Sequence, residues 1–447
     1  MHTSTLVVCT AVVSVVLALV IQQYRSNELY RSNGKSTINA ASIAEKRVPQ
    51  LYRHVDVAIE YRRRIDPIRV KEKFIPHVRL QPSPVFVLRA GEPSERDPPL
   101  NISLPKGLVT EQFVRISAFL KAPTKDYVYA TLSLDEWPDE KESFVGSEES
   151  WCSVLGIDDP GVDRALKSNS SSKNLSTAML WISQRGVVAG LHYDVSHNFL
   201  TQLRGTKRVE LWWPESHENL HFFPRLHRAR QQSQKIQSIG QIPPNFVFDL
   251  IPGDVLYIPP YWSHRVNTTS SGSLSLSVIS PSSEDFAGQR AFAVGAPLTK
   301  CQNSTTTRAV AVQVFLVHLI SRLPGFESPA QAAQRLLNAR YLYAFNRMED
   351  NDLCAKNDPD AHKTARACLS PHAVIDHVDA IAKHLTTTLP PPISDIFLFD
   401  YVEDLIAWAV GPKLAAHYIR TCLDFGKLQF LDSEFQPMQH DKAIFSI

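Results

Sequence analysis

No Cys-x-x-Cys pair and no zinc-finger spacing occurs among the six cysteines, Cys9, Cys152, Cys301, Cys354, Cys368 and Cys422. That scarcity removes zinc modules built on paired cysteines and makes buried free thiols the expectation. Only Cys354 and Cys368 lie close enough in sequence to suggest a bridge. Charge of one sign is equally lacking. With 47 basic and 45 acidic side chains the formal balance is +2, so no global field draws in nucleic acid or an acidic substrate. No recognisable RNA-binding module is present. A tidy small-x-small cleavage site is also missing after the apolar run Leu6 to Ile21, where Val20-Ile21-Gln22-Gln23-Tyr24 is bulky. The run approaches bilayer length and reads as a retained single-span anchor within residues 1–24 rather than a cleaved signal peptide.

What is present is a core of ordinary size with extensions: 447 residues, 44% of them hydrophobic. Two stretches carry chemistry. The first is His192-Tyr193-Asp194-Val195-Ser196-His197-Asn198, running through Gln202, Gly205 and Lys207 into Val209-Glu210-Leu211-Trp212-Trp213. The second is Pro252-Gly253-Asp254 followed by Val255-Leu256-Tyr257-Ile258-Pro259-Pro260-Tyr261-Trp262-Ser263-His264. Residues two apart in a strand face the same side, so His192 and Asp194 can address one ion, with His264 delivered by a strand that returns alongside. Two imidazoles and a carboxylate on one face suit a non-haem Fe(II) centre. Lys207 heads the strand after the Gly205 turn, where a cation can meet an acidic ligand inside a barrel.

These blocks resemble the JmjC and cupin-like 2-oxoglutarate oxygenases in order and spacing. The nearest likeness is to the tRNA wybutosine hydroxylase and to the asparaginyl hydroxylase that inhibits hypoxia-inducible factor. Tyr127-Val128-Tyr129-Ala130-Thr131-Leu132-Ser133-Leu134-Asp135-Glu136-Trp137 and Trp151 to Pro160 extend it. The resemblance implies a mainly β fold, a double-stranded β-helix of the jelly-roll or cupin type, with flanking helices and a helical C-terminal region. It implies His192, Asp194 and His264 as iron ligands, and Lys207 as partner of the distal 2-oxoglutarate carboxylate. Asn198 falls at a position beside the co-substrate. It also exposes departures: the asparaginyl hydroxylase's tyrosine and threonine around that carboxylate fall near Trp151 and Ala189, and a late asparagine falls at Ile279. Ser275 and Ser277 could offer hydroxyls instead.

The organisation expected is an anchor (1–24), a polar stalk (25–47), the oxygenase barrel (48–285) and helices (286–447). Helices are expected over Ala309 to Leu323, Pro329 to Met348, Ala373 to Leu385 and Ile393 to Cys422, the last two separated by Leu389-Pro390-Pro391-Pro392. Asn351 to Thr364 reads as a polar connector. Capping of the barrel and pairing of two subunits are both open roles for these helices. The basic cluster Arg62, Arg63, Arg64, Arg69, Lys71 and Lys73 reads as a solvated face. His217, His221 and His227 are irregularly spaced in a polar linker and read as a surface loop rather than ligands. Trp212, Trp213, Tyr257, Tyr261 and Trp262 read as barrel packing.

Topology signals conflict. Arg25, Arg31 and Lys35 after the span favour a cytoplasmic enzyme, while sequons at Asn101, Asn169, Asn174, Asn267 and Asn303 favour a lumenal one. The lumenal face of the endomembrane system is the reading taken. Three functions are weighed: a hydroxylase of protein side chains, an RNA hydroxylase, and a barrel that binds but has lost turnover.

Overall fold

Short strands make up most of the described residues as far as Ser280. The computed structural model describes residues 44–53, 55, 74–81, 85–87, 110–115, 127–133, 177–227, 229–235, 242–302, 304–341, 353–354 and 358–423. The apolar run at Leu6 to Ile21, the basic cluster, Trp151 and the sequons at Asn101, Asn169, Asn174 and Asn303 fall outside those residues. Among the described residues no helix is long and apolar enough to cross a membrane.

The strands are β1 (Gln50–Tyr52), β2 (Phe74–Gln81), β3 (Val85–Val87), β4 (Thr110–Arg115), β5 (Tyr127–Ser133), β6 (Thr177–Ser183) and β7 (Val187–Tyr193). They continue as β8 (His197–Arg204), β9 (Lys207–Trp212), β10 (Phe246–Leu250), β11 (Val255–Ile258), β12 (Ser263–Thr268) and β13 (Ser273–Ser280). One sheet runs β1-β11-β8-β13-β6-β5-β2-β4 and the other β10-β9-β12-β7-β3. From β6 to β13 the chain alternates between the two sheets except at β9 and β10, which pair within one, an order that fits a jelly roll. Inward residues of both sheets, among them Trp181, Leu200, Val209, Leu211, Leu256, Ile258 and Trp262, form one apolar cluster.

Two irregularities position the site. Gly205 turns β8 into β9 at φ +69°, and a Cβ there would lie 2.3 Å from the Ser270 hydroxyl, so only glycine fits. In β7, His192 pairs with His264 while Ala189 pairs with Val266, so β7 carries one extra residue. That bulge turns both Ala189 and His192, three apart, toward the cavity.

Past Ser280 the elements among the described residues are all helices. In the long β9–β10 linker lies α1 (His217–Leu220), and after the barrel come α2 (Ser283–Val294), α3 (Thr305–Arg322), α4 (Pro329–Arg340), α5 (Pro359–Cys368), α6 (Pro371–Thr388), α7 (Pro391–Val410) and α8 (Ala415–Cys422). Side chains of Ser282, Ser304, Ser328, Asp358 and Ser370 accept hydrogen bonds from the first turns they precede. Three expectations are corrected. The polar connector gives way to α5 from Pro359, because Asp358 caps it and Pro359 fits its first turn. The helix read through to Cys422 is two, broken where Gly411 takes φ +82° before Pro412. The helix read to Met348 ends at Arg340, with Tyr341 outside helical geometry.

The helices share one apolar core with the barrel. Phe315, Leu319, Phe397 and Tyr401 belong to the same buried cluster as Tyr193, Trp212, Phe222 and Tyr261. Capping the barrel is therefore a role these helices fill within one chain.

The cysteine expectation is also corrected. Cys301 bonds Cys368 and Cys354 bonds Cys422, with Cα separations of 5.2 and 5.4 Å. Neither free thiols nor a Cys354–Cys368 bridge is present at these four positions. Distance along the chain misled, because each bridge spans 67 or 68 residues and only the helical fold brings its ends together. Closing loops of that length restricts the unfolded chain by about 4 kcal/mol. Non-reducing peptide mapping should recover these two bridged pairs, and Cys354→Ser with Cys422→Ser should lower stability by roughly 2–5 kcal/mol.

Candidate metal centre

His192 is the penultimate residue of β7, Asp194 follows the strand's end at Tyr193, and His264 is the second residue of β12 directly across the sheet. Their ligand atoms all lie within 4.8 Å of one another, with His264 Nε2 3.8 Å from Asp194 Oδ2. It is the only such grouping among the described residues. Nδ1–H of His192 donates to the Gly190 carbonyl at 2.7 Å, and Nδ1–H of His264 donates to the Trp262 carbonyl at 3.0 Å. A carbonyl only accepts, so both Nδ1 atoms carry the proton and both Nε2 atoms present a lone pair. Asn198 Nδ2 donates to Asp194 Oδ2 at 3.4 Å, steadying the carboxylate. The donor set is two neutral nitrogens and one carboxylate oxygen on one side, which fits a divalent first-row metal with open positions opposite.

The turn between β11 and β12 locks this arrangement. Tyr261 takes φ +64° and its N–H donates to the Asp194 carbonyl at 2.7 Å. The two motif blocks are thus joined through the backbone as well as through the sheet.

A cavity extends from the triad into the barrel, lined by Trp181, Ser183, Val187, Ala189, Asn198, Leu200, Lys207, Ile258, Val266, Thr268 and Ser277. Lys207 is 3% exposed, and burial alone lowers its ammonium pKa to about 7. Its situation differs from that of the other charged residues in the described interior. Asp254 pairs with Arg53, Glu284 with Arg47, and Arg340 with Asp400 and Glu403. Among the described residues no carboxylate pairs with Lys207. A buried cation without a counter-charge is costly unless a ligand supplies one.

Of the residues singled out in the sequence, the structure gathers His192, Asp194, Asn198, Lys207 and His264 around one cavity. Ala189 and Ser277 line it too, but Ser277 accepts from the Trp181 indole at 2.8 Å and Ser275 donates to Gln202 Oε1 at 2.8 Å. Those two hydroxyls serve the barrel wall. Ser183 and Thr268 were missed. The signal was available, since Thr268 lies four residues past His264 on the same strand and shares its face.

The surface-loop reading of the linker histidines is corrected. His217 and His227 are buried, His217 Nε2–H donates to the Tyr261 carbonyl at 2.8 Å, and His227 stacks on Phe223 at 4.4 Å. Burial drops the His217 pKa to about 3, so it is a neutral packing group. None of the three joins the metal cluster. Trp212, Tyr257, Tyr261 and Trp262 are buried as expected, but Trp213 is 38% exposed at the barrel rim.

Fold and site together define a cupin-type barrel with a His-x-Asp…His centre. Residues 115–280 match the family model described as the cupin-like domain. Jumonji C domain-containing protein 5 of Drosophila melanogaster is 28% identical over 179 residues, covering 36% of this chain and 40% of that protein. tRNA wybutosine-synthesizing protein 5 of Danio rerio is 30% identical over 168 residues, covering 32% of this chain and 50% of that protein. The chain therefore spans half or less of these curated relatives. Among solved structures, the Escherichia coli ribosomal oxygenase YcfD in complex with cobalt and 2-oxoglutarate is 14% identical, with a TM-score of 0.30 and coverage of 57% of this chain and 55% of that one. The resemblance to JmjC and cupin-like proteins read from the sequence stands.

Replacing the buried Lys207 ammonium should stabilise the ligand-free protein. Lys207→Met is expected to raise stability at pH 6 by a few kcal/mol, of the order that a depression of this size implies. The sign follows from linkage: above about pH 7 the folded Lys207 is neutral while the unfolded one still binds a proton, so wild-type stability rises with pH. The advantage of Lys207→Met should shrink from pH 7 toward the ordinary lysine pKa. Denaturant melts across pH 6 to 10 check this.

Proposed function

We propose that this chain is an Fe(II)- and 2-oxoglutarate-dependent dioxygenase, a membrane-anchored hydroxylase of protein side chains on the lumenal face of the endomembrane system. The observation that carries the reading is Lys207: a buried, uncompensated ammonium on the wall of the same cavity that holds the triad. When bound, Fe(II) and 2-oxoglutarate would supply, with dioxygen as the oxidant, an oxidative decarboxylation in which one oxygen atom goes to succinate, carbon dioxide is released and the other oxygen atom enters a substrate C–H bond.

The chain's own residues prepare the site. His192 and His264 offer neutral Nε2 atoms whose tautomer the backbone carbonyls fix, and Asp194 supplies the one negative charge. Asn198 orients Asp194, and Lys207 pairs with the distal carboxylate. Val187, Leu200, Ile258 and Val266 keep the cavity dry, which strengthens that ion pair. Two long-range disulfides support an oxidising compartment, in agreement with the sequons and the apolar run at Leu6 to Ile21. A lumenal enzyme on a tether meets proteins, which favours a protein substrate. RNA is the second reading, favoured by the tRNA wybutosine-synthesizing relatives and opposed by the near-neutral charge.

Purified protein supplied with Fe(II), ascorbate and 2-oxoglutarate should yield succinate. His264→Ala should lose stoichiometric iron, since two remaining ligands hold it poorly. An unchanged iron content in that variant rejects the metal assignment. Endoglycosidase should increase the gel mobility of protein expressed in animal cells; an unchanged band removes the lumenal placement.

A further inference from the structure

The end of the cavity away from the triad holds two more buried polar side chains. Thr268 pairs with Lys207 across β9 and β12, and both side chains line the cavity. Ser183 Oγ lies 2.7 Å from Thr268 Oγ1. The three residues are 1–3% exposed. Two hydroxyls joined by one hydrogen bond keep one O–H proton in hand, and among the described residues no other acceptor meets either of them. Beside them stands an ammonium without a counter-charge. A carboxylate presents two oxygens, one for a cation and one for a hydroxyl donor.

We propose that Thr268, backed by Ser183, is a positioning residue that donates to the distal carboxylate of the co-substrate beside Lys207. This rests on the 2-oxoglutarate reading above. It places the hydroxyl on β12 in a chain whose Ala189 cannot supply one from β7. Ser183 O–H donates to Thr268 Oγ1, which leaves the single Thr268 proton for the carboxylate.

Reach agrees with a five-carbon diacid. Four residues of strand from His264 to Thr268 span roughly 13 Å. A metal–oxygen bond of about 2 Å, four carbon–carbon bonds spanning roughly 5 Å and a hydrogen bond of about 2.8 Å fill most of that length. The remainder is taken up by side chains that lean along the strand.

The test compares two keto acids on full-length protein loaded with Mn(II), with dissociation constants read from tryptophan fluorescence and no turnover involved. 2-Oxoglutarate carries the distal carboxylate; 2-oxopentanoate lacks it. Thr268→Val should weaken 2-oxoglutarate about tenfold and leave 2-oxopentanoate unchanged, while Thr268→Ser should restore wild-type binding. Ser183→Ala should give a smaller loss with the same selectivity, and it serves in place of Thr268→Val if that variant does not fold. Equal weakening of both acids, or no change in either, overturns the assignment. Wild-type protein that binds neither acid rejects the co-substrate reading itself, a separate outcome.

Discussion

Everything at the centre of this molecule depends on the register between β7 and β12. The antiparallel ladder sets His264 opposite His192, and Tyr261 N–H reaches the Asp194 carbonyl just beyond the last pair. A slip by one residue would turn His264 out of the barrel and Arg265 in. The extra residue in β7 is part of the same constraint, because without it Ala189 and His192 would face opposite sides. The left-handed backbone at Tyr261 costs about 1–2 kcal/mol. It is held by burial of the ring against Tyr193 and Phe397. Strain at a turn next to a site is tolerated where the surroundings over-determine it.

Two electrostatic regimes lie on either side of β7, the Tyr193 side and the His192 side. On the Tyr193 side, Arg340 donates to Asp400 and Glu403 at 2.6 and 2.7 Å, and Arg225 joins through Asp404 at 2.8 Å. The Arg225 backbone N–H also donates to Glu403 at 2.8 Å. That network ties the β9–β10 linker and α4 to α7, and every charge in it meets one of opposite sign or a backbone N–H. On the His192 side, Lys207 is unmatched. Removing one partner of a buried pair costs roughly 3–5 kcal/mol, so the closed network secures the fold. The open charge costs stability and has no structural return. That asymmetry separates a structural ion cluster from a binding residue, although both are buried and both shift in pKa.

The site was more legible in the sequence than the fold around it. His192 and Asp194 follow from strand alternation, His264 from the Pro252-Gly253 turn and the strand after it, and Lys207 from its place past Gly205. Each is a local signal. What stayed hidden is non-local. Cys301 and Cys368 find each other only after α3 and α5 pack. His217 looks polar and exposed in a linker, yet its ring lies 4.6 Å from that of Tyr193 because the helices cover it. Ser275, Ser277 and Thr268 are all small hydroxyl residues on strands. Which of them faces an unmatched charge depends on their neighbours across the sheet, and the sequence does not print those.

The β9–β10 linker connects these observations. Trp212 pairs with Ser263 and Leu211 with His264, so the chain leaves the barrel at the metal end. The described part of the linker then returns along β7: Tyr193 N–H donates to the Gln231 carbonyl at 3.1 Å and Ser233 N–H to the Leu191 carbonyl at 2.9 Å. Its outer side is held by α4 and α7, through Gln234 to the Arg340 carbonyl and through the Arg225 and Arg340 ion pairs. A segment bonded on both sides behaves as a wall. The helices therefore act on the metal end at one remove: they fix the linker, the linker fixes the outward edge of β7, and β7 carries His192. Their two disulfides strengthen a part of the chain that contributes no ligand but holds the strand that does.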